Sequence, residues 1–348
     1  MSYRHLLKPG ARRAEALVDV DGLARACGQD ATRLRRLREN LPSAYGRIER
    51  PKPKGGFRII RPPRQDLKEV QRGLLDWLET RFTAKPWMHG GVAQRSIISH
   101  AQPHCGKAMV AVLDVRDFFG SVRRERLAAL LTAAGLEGEA LETLLDLVTL
   151  DDTLPQGAPT SCLLANLAFF PADQRFRRVS AKRGLVYTRY LDDLALSGDE
   201  DFKELRGPLV EALTLEGFQV AAEKVAFMGR HEPQVVTGLV VNDRLRPTRA
   251  FREALIAEIN DCQIEGLGAR SDRLGTNPQR LRARLLGQIR HLARFDPAPA
   301  RRLERRLRSA PGGRATQSSR ARRRTSKASS SSSAYLAQES SEPPSRRA

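Results

Sequence analysis

The stretch "VYTRYLDDLALSG", residues 186–198, constrains the fold more than any other part of the chain. Two apolar runs rich in β-formers flank an acidic pair, Asp192-Asp193. The pattern predicts a hairpin with the two carboxylates at its tight turn. Adjacent carboxylates repel each other unless water or a cation neutralises them, and no basic residue follows until Lys203. A second apolar run meets acids in the same way. In "AMVAVLDVRDFFGSV" (108–122) a buried strand delivers Asp114 at its end. Strand ends project into clefts, where reactive groups collect. Taken singly, the Asp114 case reads better as a strand running into a polar turn, and the Asp192-Asp193 case reads as well that way.

Taken together, the acids suit a metal. If the two strands meet in space, Asp114 and Asp192 form a hard-oxygen pocket fit for Mg²⁺ rather than zinc. Two such ions, ~3.5–4 Å apart, activate an attacking hydroxyl and stabilise a leaving oxygen, as nucleotidyl transfer requires. The rest of the chain is basic. Its formal net charge is +20, of which the segment from 309 onward contributes only +6. An anionic partner is implied, such as nucleic acid. Lys52, Lys54, Arg58 and Arg61 in "KPKGGFRIIR" are candidates to hold phosphates, and Gly55-Gly56 lets the backbone turn closely. No apolar run approaches the ~20 residues that span a bilayer, and no signal-peptide core follows Met1. Cys27, Cys105, Cys162 and Cys262 form no CxxC pair, which fits a reducing cytoplasm.

Patterning predicts mixed helices and strands, an α+β class. Helical periodicity covers 12–40, 67–82, 124–135, 159–179, 201–216 and all of 246–308. Strand patterns cover 56–64, 108–114, both sides of Asp192-Asp193, 218–229 and 233–242. From Ser309 the chain is Ser-, Arg- and Pro-rich and is expected to be disordered.

These motifs resemble a reverse transcriptase, most closely the bacterial retron type, over about residues 15–308. "KPKGGFRIIRPP" is similar to the fingers motif, so that Lys52 (or Lys54) and Arg58 would meet the triphosphate of the incoming nucleotide. "LDVRDFFGSV" resembles palm motif A, with Asp114 a metal ligand, Val115 offering its carbonyl, and Phe119 the gate against a ribose 2′-OH. "LPQGAPTSCLLANL" resembles motif B, with Gln156 and Gly157 lining the nucleotide pocket. "YLDD" resembles motif C, where Tyr190 supports the primer end and Asp192 and Asp193 complete the acids. "GFQVAAEKV" resembles motif D, making Lys224 the general acid for pyrophosphate.

"HAQPH" (100–104) and "VTG" (236–238) resemble two elements typical of retron enzymes, which marks His104, Thr237 and Gly238 as primer or template contacts. His100 stands where the family usually has Asn, and Cys162 where Pro often follows the motif B Ser. "LRARLLGQIRHLARFDPAPARRLERRL" (281–307) resembles the thumb, with Arg284 and Arg290 among the arginines facing RNA phosphates.

The resemblance implies a right-hand fold. The expected parts are an N-terminal helical segment (1–44), fingers (45–107), palm (108–244, with part of the fingers at 124–158), helical thumb (245–308) and tail (309–348). It implies two Mg²⁺ ions, for which Mn²⁺ can substitute, and dNTPs as substrates. It also implies a structured non-coding RNA as template and primer, priming from a guanosine 2′-OH, and a branched RNA–DNA product, msDNA. A separately encoded effector in anti-phage defence is a further implication, and no membrane partner is expected. No RNase H, maturase or endonuclease domain is expected. Alternatives are a stand-alone group II-like or other bacterial reverse transcriptase, or a non-catalytic RNA-binding protein on a polymerase fold. A diversity-generating enzyme is disfavoured by the retained "QGAPTS".

Overall fold

The computed structural model describes residues 3–11, 15–51 and 55–312. Lys52 and Lys54, and the tail beyond 312, lie outside the described residues. The chain divides into two compact units, Met1–Glu253 and Ala254–Ala348.

The first unit begins with two short helices, α1 (Val20–Ala26) and α2 (Ala31–Glu39), capped by the carboxylates of Asp19 and Asp30. One helical stretch was expected here. Gly28, at φ +64°, ends the first helix, and Asp30 starts the second by accepting from Arg33 N–H. A two-stranded hairpin follows, β1 (Ile48–Pro51) with β2 (Phe57–Ile60), paired from Ile48↔Ile60 to Pro51↔Phe57. Pro62-Pro63 follow β2, as their missing N–H groups would suggest. Helix α3 (Gln65–Arg81) buries Leu67, Val70, Leu74 and Leu78 along one stripe. Helix α4 (Ile97–Ala101) opens on a capping box between Ser96 and Ser99. It runs into a tight turn, Gln102–His104, that puts His100 and His104 on one side.

The central sheet holds β3 (Met109–Asp114), β4 (Val186–Tyr190), β5 (Asp193–Gly198) and β6 (Ala226–Gly229) in the order β4-β5-β3-β6, all antiparallel. Between β3 and β4 lie α5 (Arg124–Ala133), α6 (Gly138–Val148), α7 (Ser161–Ala168) and α8 (Phe170–Lys182). The sequence pattern predicts one helix over 159–179. The helix breaks at Phe169 because Pro171, in the first turn of α8, has no N–H to continue the ladder. One face of the sheet packs on α8, through Tyr187 and Arg189 to Asp173. The other carries Thr188 and Ser197, which bond His104. Phe118, Phe169 and Phe218 form an aromatic cluster in the core, with Phe169 and Phe218 centroids 4.6 Å apart.

Helix α9 (Arg206–Thr214) precedes β6. The strand expected over 218–229 is confined to Ala226–Gly229, after a 3₁₀ turn at Ala222–Lys224. The strand expected over 233–242 is instead a tight hairpin, β7 (Val235–Val236) and β8 (Leu239–Val240), with β9 (Arg246–Pro247) beside it. Its turn residues Thr237 and Gly238 have φ +45° and +79°, the left-handed pair a two-residue hairpin needs.

The division into units falls inside α10 (Arg249–Glu265), nine residues beyond the expected palm–thumb boundary at 244/245. The described part of the second unit continues with α11 (Leu267–Arg273), α12 (Pro278–Ala293) and α13 (Pro297–Ser309). Leu281, Leu285, Ile289 and Leu292 form the buried stripe of α12. Arg270 joins α11 to α10 through Glu258, at 3.1 Å. No helix among the described residues is long and apolar enough to cross a membrane.

Candidate active site

Antiparallel pairing brings the acids together. Asp193 starts β5 and pairs with Tyr190 on one side and Asp114 on the other. The turn is therefore Leu191-Asp192. Val115 N–H donates to the Asp192 carbonyl at 3.1 Å, which ties the turn to the end of β3. Three carboxylates thus gather at one end of the central sheet. Lys224 reaches them from the turn before β6, its Nζ 2.6 Å from Asp114 Oδ2.

Burial and like charge act in the same direction here. Desolvation first, then the neighbouring carboxylates of Asp192 and Asp114, push Asp193 up to about 7. Asp192 is also raised, mainly by burial and then by Asp114, while Lys224 and Arg58 pull it back. Arg58, exposed on β2, favours the ionised form of Asp192, as the smallest of the influences on it.

Among the described residues, no group of three or more His, Cys, Asp or Glu side chains stands ready-made as a metal cage. The donor chemistry nonetheless fits a hard divalent cation. The donors are carboxylate oxygens, and the proton uptake that their mutual repulsion favours is what a bound cation would replace. Oxygens from the backbone and from a phosphate substrate would complete the coordination.

The hairpin that carries the acids is strained and braced. Leu191 sits at φ +55°, unusual for a residue with a branched side chain. Its carbonyl accepts from Arg189 Nη1 at 3.1 Å. Arg189 is fully buried with its partner Asp173, and Nε and Nη2 meet the two carboxylate oxygens at 2.8 and 2.9 Å. Asn166 Oδ1 accepts from Arg189 Nη1, and Tyr187 donates to Asp173. Against the turn packs the buried Gly90. A Cβ there would come within 2.7 Å of Leu191 N, so only glycine lets this loop approach the turn. Asn166 Nδ2 donates to the Gly90 carbonyl and holds the loop in place. Sequence reasoning missed Arg189, Asp173 and Asn166. The available signal was an arginine at an inward position of an apolar strand, which requires a buried counter-charge.

The motif B turn meets the β1–β2 hairpin. Gln156 O accepts from Arg61 N–H at 2.8 Å, and a Cβ on Gly157 would lie 2.7 Å from Ile60 Cγ2. Phe119 is half-buried, its ring 5.6 Å from Phe118. His104 bonds Ser197 and Thr188, both at 2.7 Å, and Thr188 bonds His100 Nδ1 at 2.8 Å. The Tyr190 ring lies 6.0 Å from His100. Burial pulls His104 down to about 4. Arg284 and Arg290 lie in the second unit, on α12. Arg290 is exposed, and Arg284 is half-exposed with Glu258 at 3.3 Å. Arg306, one of the arginines expected to face RNA, is instead taken up by Asn260 and Gln263.

A model of the family described as reverse transcriptase (RNA-dependent DNA polymerase) matches residues 50–251. The retron Mx65 reverse transcriptase of Myxococcus xanthus is 34% identical over 276 residues, 74% of this chain and 62% of that protein. The retron Mx162 reverse transcriptase of the same organism is 33% identical, over 66% of this chain and 55% of the relative. The retron Ec86 reverse transcriptase of Escherichia coli is 31% identical over 56% of this chain and 62% of that protein. The chain thus spans between 55% and 62% of the length of these relatives. With the family model covering more than half its length and the acids gathered at one sheet end, the chain belongs to the reverse transcriptase (RNA-dependent DNA polymerase) family, with its right-hand polymerase fold, and is similar to the retron reverse transcriptases.

Proposed function

We propose that the protein is the RNA-directed DNA polymerase of a retron, copying a structured non-coding RNA into the DNA of msDNA. The observation that carries this reading is the convergence of Asp114, Asp192 and Asp193 beside Lys224. Asp114, Asp192 and Asp193, with the Val115 carbonyl, would hold two Mg²⁺ ions, or Mn²⁺ in their place. When bound, such ions lower the pKa of a hydroxyl and stabilise charge on a leaving oxygen.

The protein's own groups have distinct tasks. Arg58, with Lys52 and Lys54, holds the triphosphate of a dNTP. Gln156 and Gly157 support its base and sugar, and Phe119 blocks a ribose 2′-OH. Tyr190, His104, Thr237 and Gly238 position the primer end, while Arg284 and Arg290 hold RNA phosphates. The primer 3′-oxygen, or an initiating guanosine 2′-oxygen, bonds to the α-phosphorus and gives its proton to solvent water. The bond from that phosphorus to pyrophosphate breaks. The Lys224 ammonium gives a proton to the departing oxygen and holds position through Asp114 meanwhile. We place the protein in the cytoplasm, with an effector encoded separately.

The decisive measurement is dNTP incorporation on primed RNA with Mg²⁺. Replacing both acids, Asp192→Asn with Asp193→Asn, is expected to lower the rate by roughly a thousandfold, the equivalent of several kcal/mol of lost charge stabilisation. Incorporation at the wild-type rate would sink the assignment. Recovery of RNA joined to short DNA through a 2′,5′ linkage tests the retron reading. A purely 3′,5′-linked product favours another bacterial reverse transcriptase.

A further inference from the structure

Arg189 has more donors than its counter-ion uses. Nε and Nη2 meet the Asp173 carboxylate at 2.8 and 2.9 Å and neutralise it. Nη1 goes elsewhere, to Asn166 Oδ1 at 2.8 Å and to the Leu191 carbonyl at 3.1 Å. A buried ion pair is often no better for stability than an apolar pair of the same size, because desolvating two charges cancels much of their attraction. Stability alone therefore does not account for an arginine here. A guanidinium is planar and rigid, so fixing two of its nitrogens on Asp173 also fixes where the third points. That third nitrogen holds the turn that carries Asp192.

The turn is held from a second side. Residues 87–91 run beside β4, where Arg189 N–H donates to the Trp87 carbonyl and His89 N–H to the Arg189 carbonyl, both at 2.7 Å. This sets Gly90 against the turn, where a Cβ would come within 2.7 Å of Leu191 N and 2.9 Å of the Tyr190 carbonyl carbon. Helix α7 closes over the same segment. Asn166 Nδ2 donates to the Gly90 carbonyl at 2.8 Å, and one turn earlier Cys162 Cβ lies 2.7 Å from where a Cβ on Gly91 would be. Asn166 thus serves both sides, with Oδ1 on Arg189 and Nδ2 on Gly90. The left-handed backbone of Leu191, at φ +55°, persists only where neighbours enforce it.

We propose that Arg189, Asn166 and Gly90 are positioning residues for the reaction. They fix the Leu191-Asp192 turn, and with it the Asp192 and Asp193 carboxylates beside Asp114. This role rests on the polymerase reading and deepens it. Loosening the turn weakens cation binding and slows the chemical step. It spares the grip on RNA, which belongs to other parts of the chain.

Two full-length variants separate positioning from folding. Arg189→Lys keeps a charge opposite Asp173, but a lone ammonium cannot also serve Asn166 and the Leu191 carbonyl. Gly90→Ala adds a methyl against the turn, introduces no charge and removes no hydrogen-bonding group. Mn²⁺ alone is titrated onto each protein without nucleic acid, and the free ion is read by electron paramagnetic resonance. Single-nucleotide incorporation on primed RNA gives kcat and KM, and filter binding gives RNA affinity. Each variant should bind Mn²⁺ about tenfold more weakly, as the loss of groups that orient ligands does. Each should lower kcat by about ten- to a hundredfold, as a misplacement near 1 Å does, with KM for dNTP within about threefold and RNA affinity unchanged. A merely structural brace would lower the melting temperature and leave Mn²⁺ affinity and kcat of the folded protein as they are. Gly90→Ala is the deciding variant, also where Arg189→Lys does not fold: wild-type Mn²⁺ affinity and kcat in it would overturn the positioning role and leave the polymerase reading in place. Wild-type protein that incorporates no dNTP would overturn the polymerase reading itself.

Discussion

His104 shows how burial turns a single side chain into a pH-dependent element. It is fully buried between Ser197 and Thr188, and desolvation holds its pKa near 4, against an ordinary value of 6.5. The unfolded chain therefore binds a proton that the folded chain refuses in that window. The sign follows: this stability is fully present above about pH 6.5 and is lost as pH falls toward 4. Chemical denaturation from pH 7 to pH 4 should show wild-type stability dropping more steeply than that of His104→Gln. The difference should be about 1.4 kcal/mol per pH unit inside the window. Parallel slopes would contradict the assignment. At the same scale, Lys224 and Asp114 are separated by 110 residues yet 2.6 Å apart. The motifs made each residue a candidate, but no spacing rule predicted the ion pair.

The β4–β5 hairpin is a strained element held by its neighbours. Its alternation was legible because Tyr187 and Arg189 must face one side and Thr188 and Tyr190 the other. What supports it was not legible. A left-handed Leu191 persists because Arg189 holds its carbonyl from below and Gly90 leaves room above. Arg189→Met would leave Asp173 charged, buried and unpaired, and should destabilise the fold by about 3–5 kcal/mol. Adding Asp173→Asn to that variant should destabilise it by far less than Asp173→Asn does in wild type, because the two groups act as a pair. Denaturant titration of the four proteins closes this cycle, and simple additivity would count against the pairing. The break between α7 and α8 belongs to the same scale. Helical periodicity runs through 159–179, but backbone chemistry at Pro171 stops the helix at Phe169.

Net charge governs the molecule as a whole. At +20, RNA affinity should be largely electrostatic and should fall linearly as log K against log salt. Helix α13 buries Ala300, Leu303 and Leu307 and exposes Arg301, Arg302, Arg305 and Arg308. On α12, Arg290 is exposed. Arg290→Ala should weaken binding across RNA sequences alike and reduce the salt slope by about 0.7–1. Filter binding over a salt series measures both, and an unchanged slope would remove Arg290 from the RNA-facing set. Arg306 would be a poor choice for the same experiment, since its guanidinium already bonds Asn260 and Gln263.

By itself, the sequence determined the local features and their order. Apolar alternation and turn chemistry reach only a few residues, so the strands ending at Asp114 and starting at Asp193, the α3 stripe and the left-handed glycine at 157 can be read or rationalised locally. The tertiary structure decided which distant groups compensate one another. Arg189 found Asp173, and His104 found Thr188 and Ser197. A buried polar group must be satisfied by whatever the fold brings near it, and that partner is chosen by packing rather than by spacing along the chain.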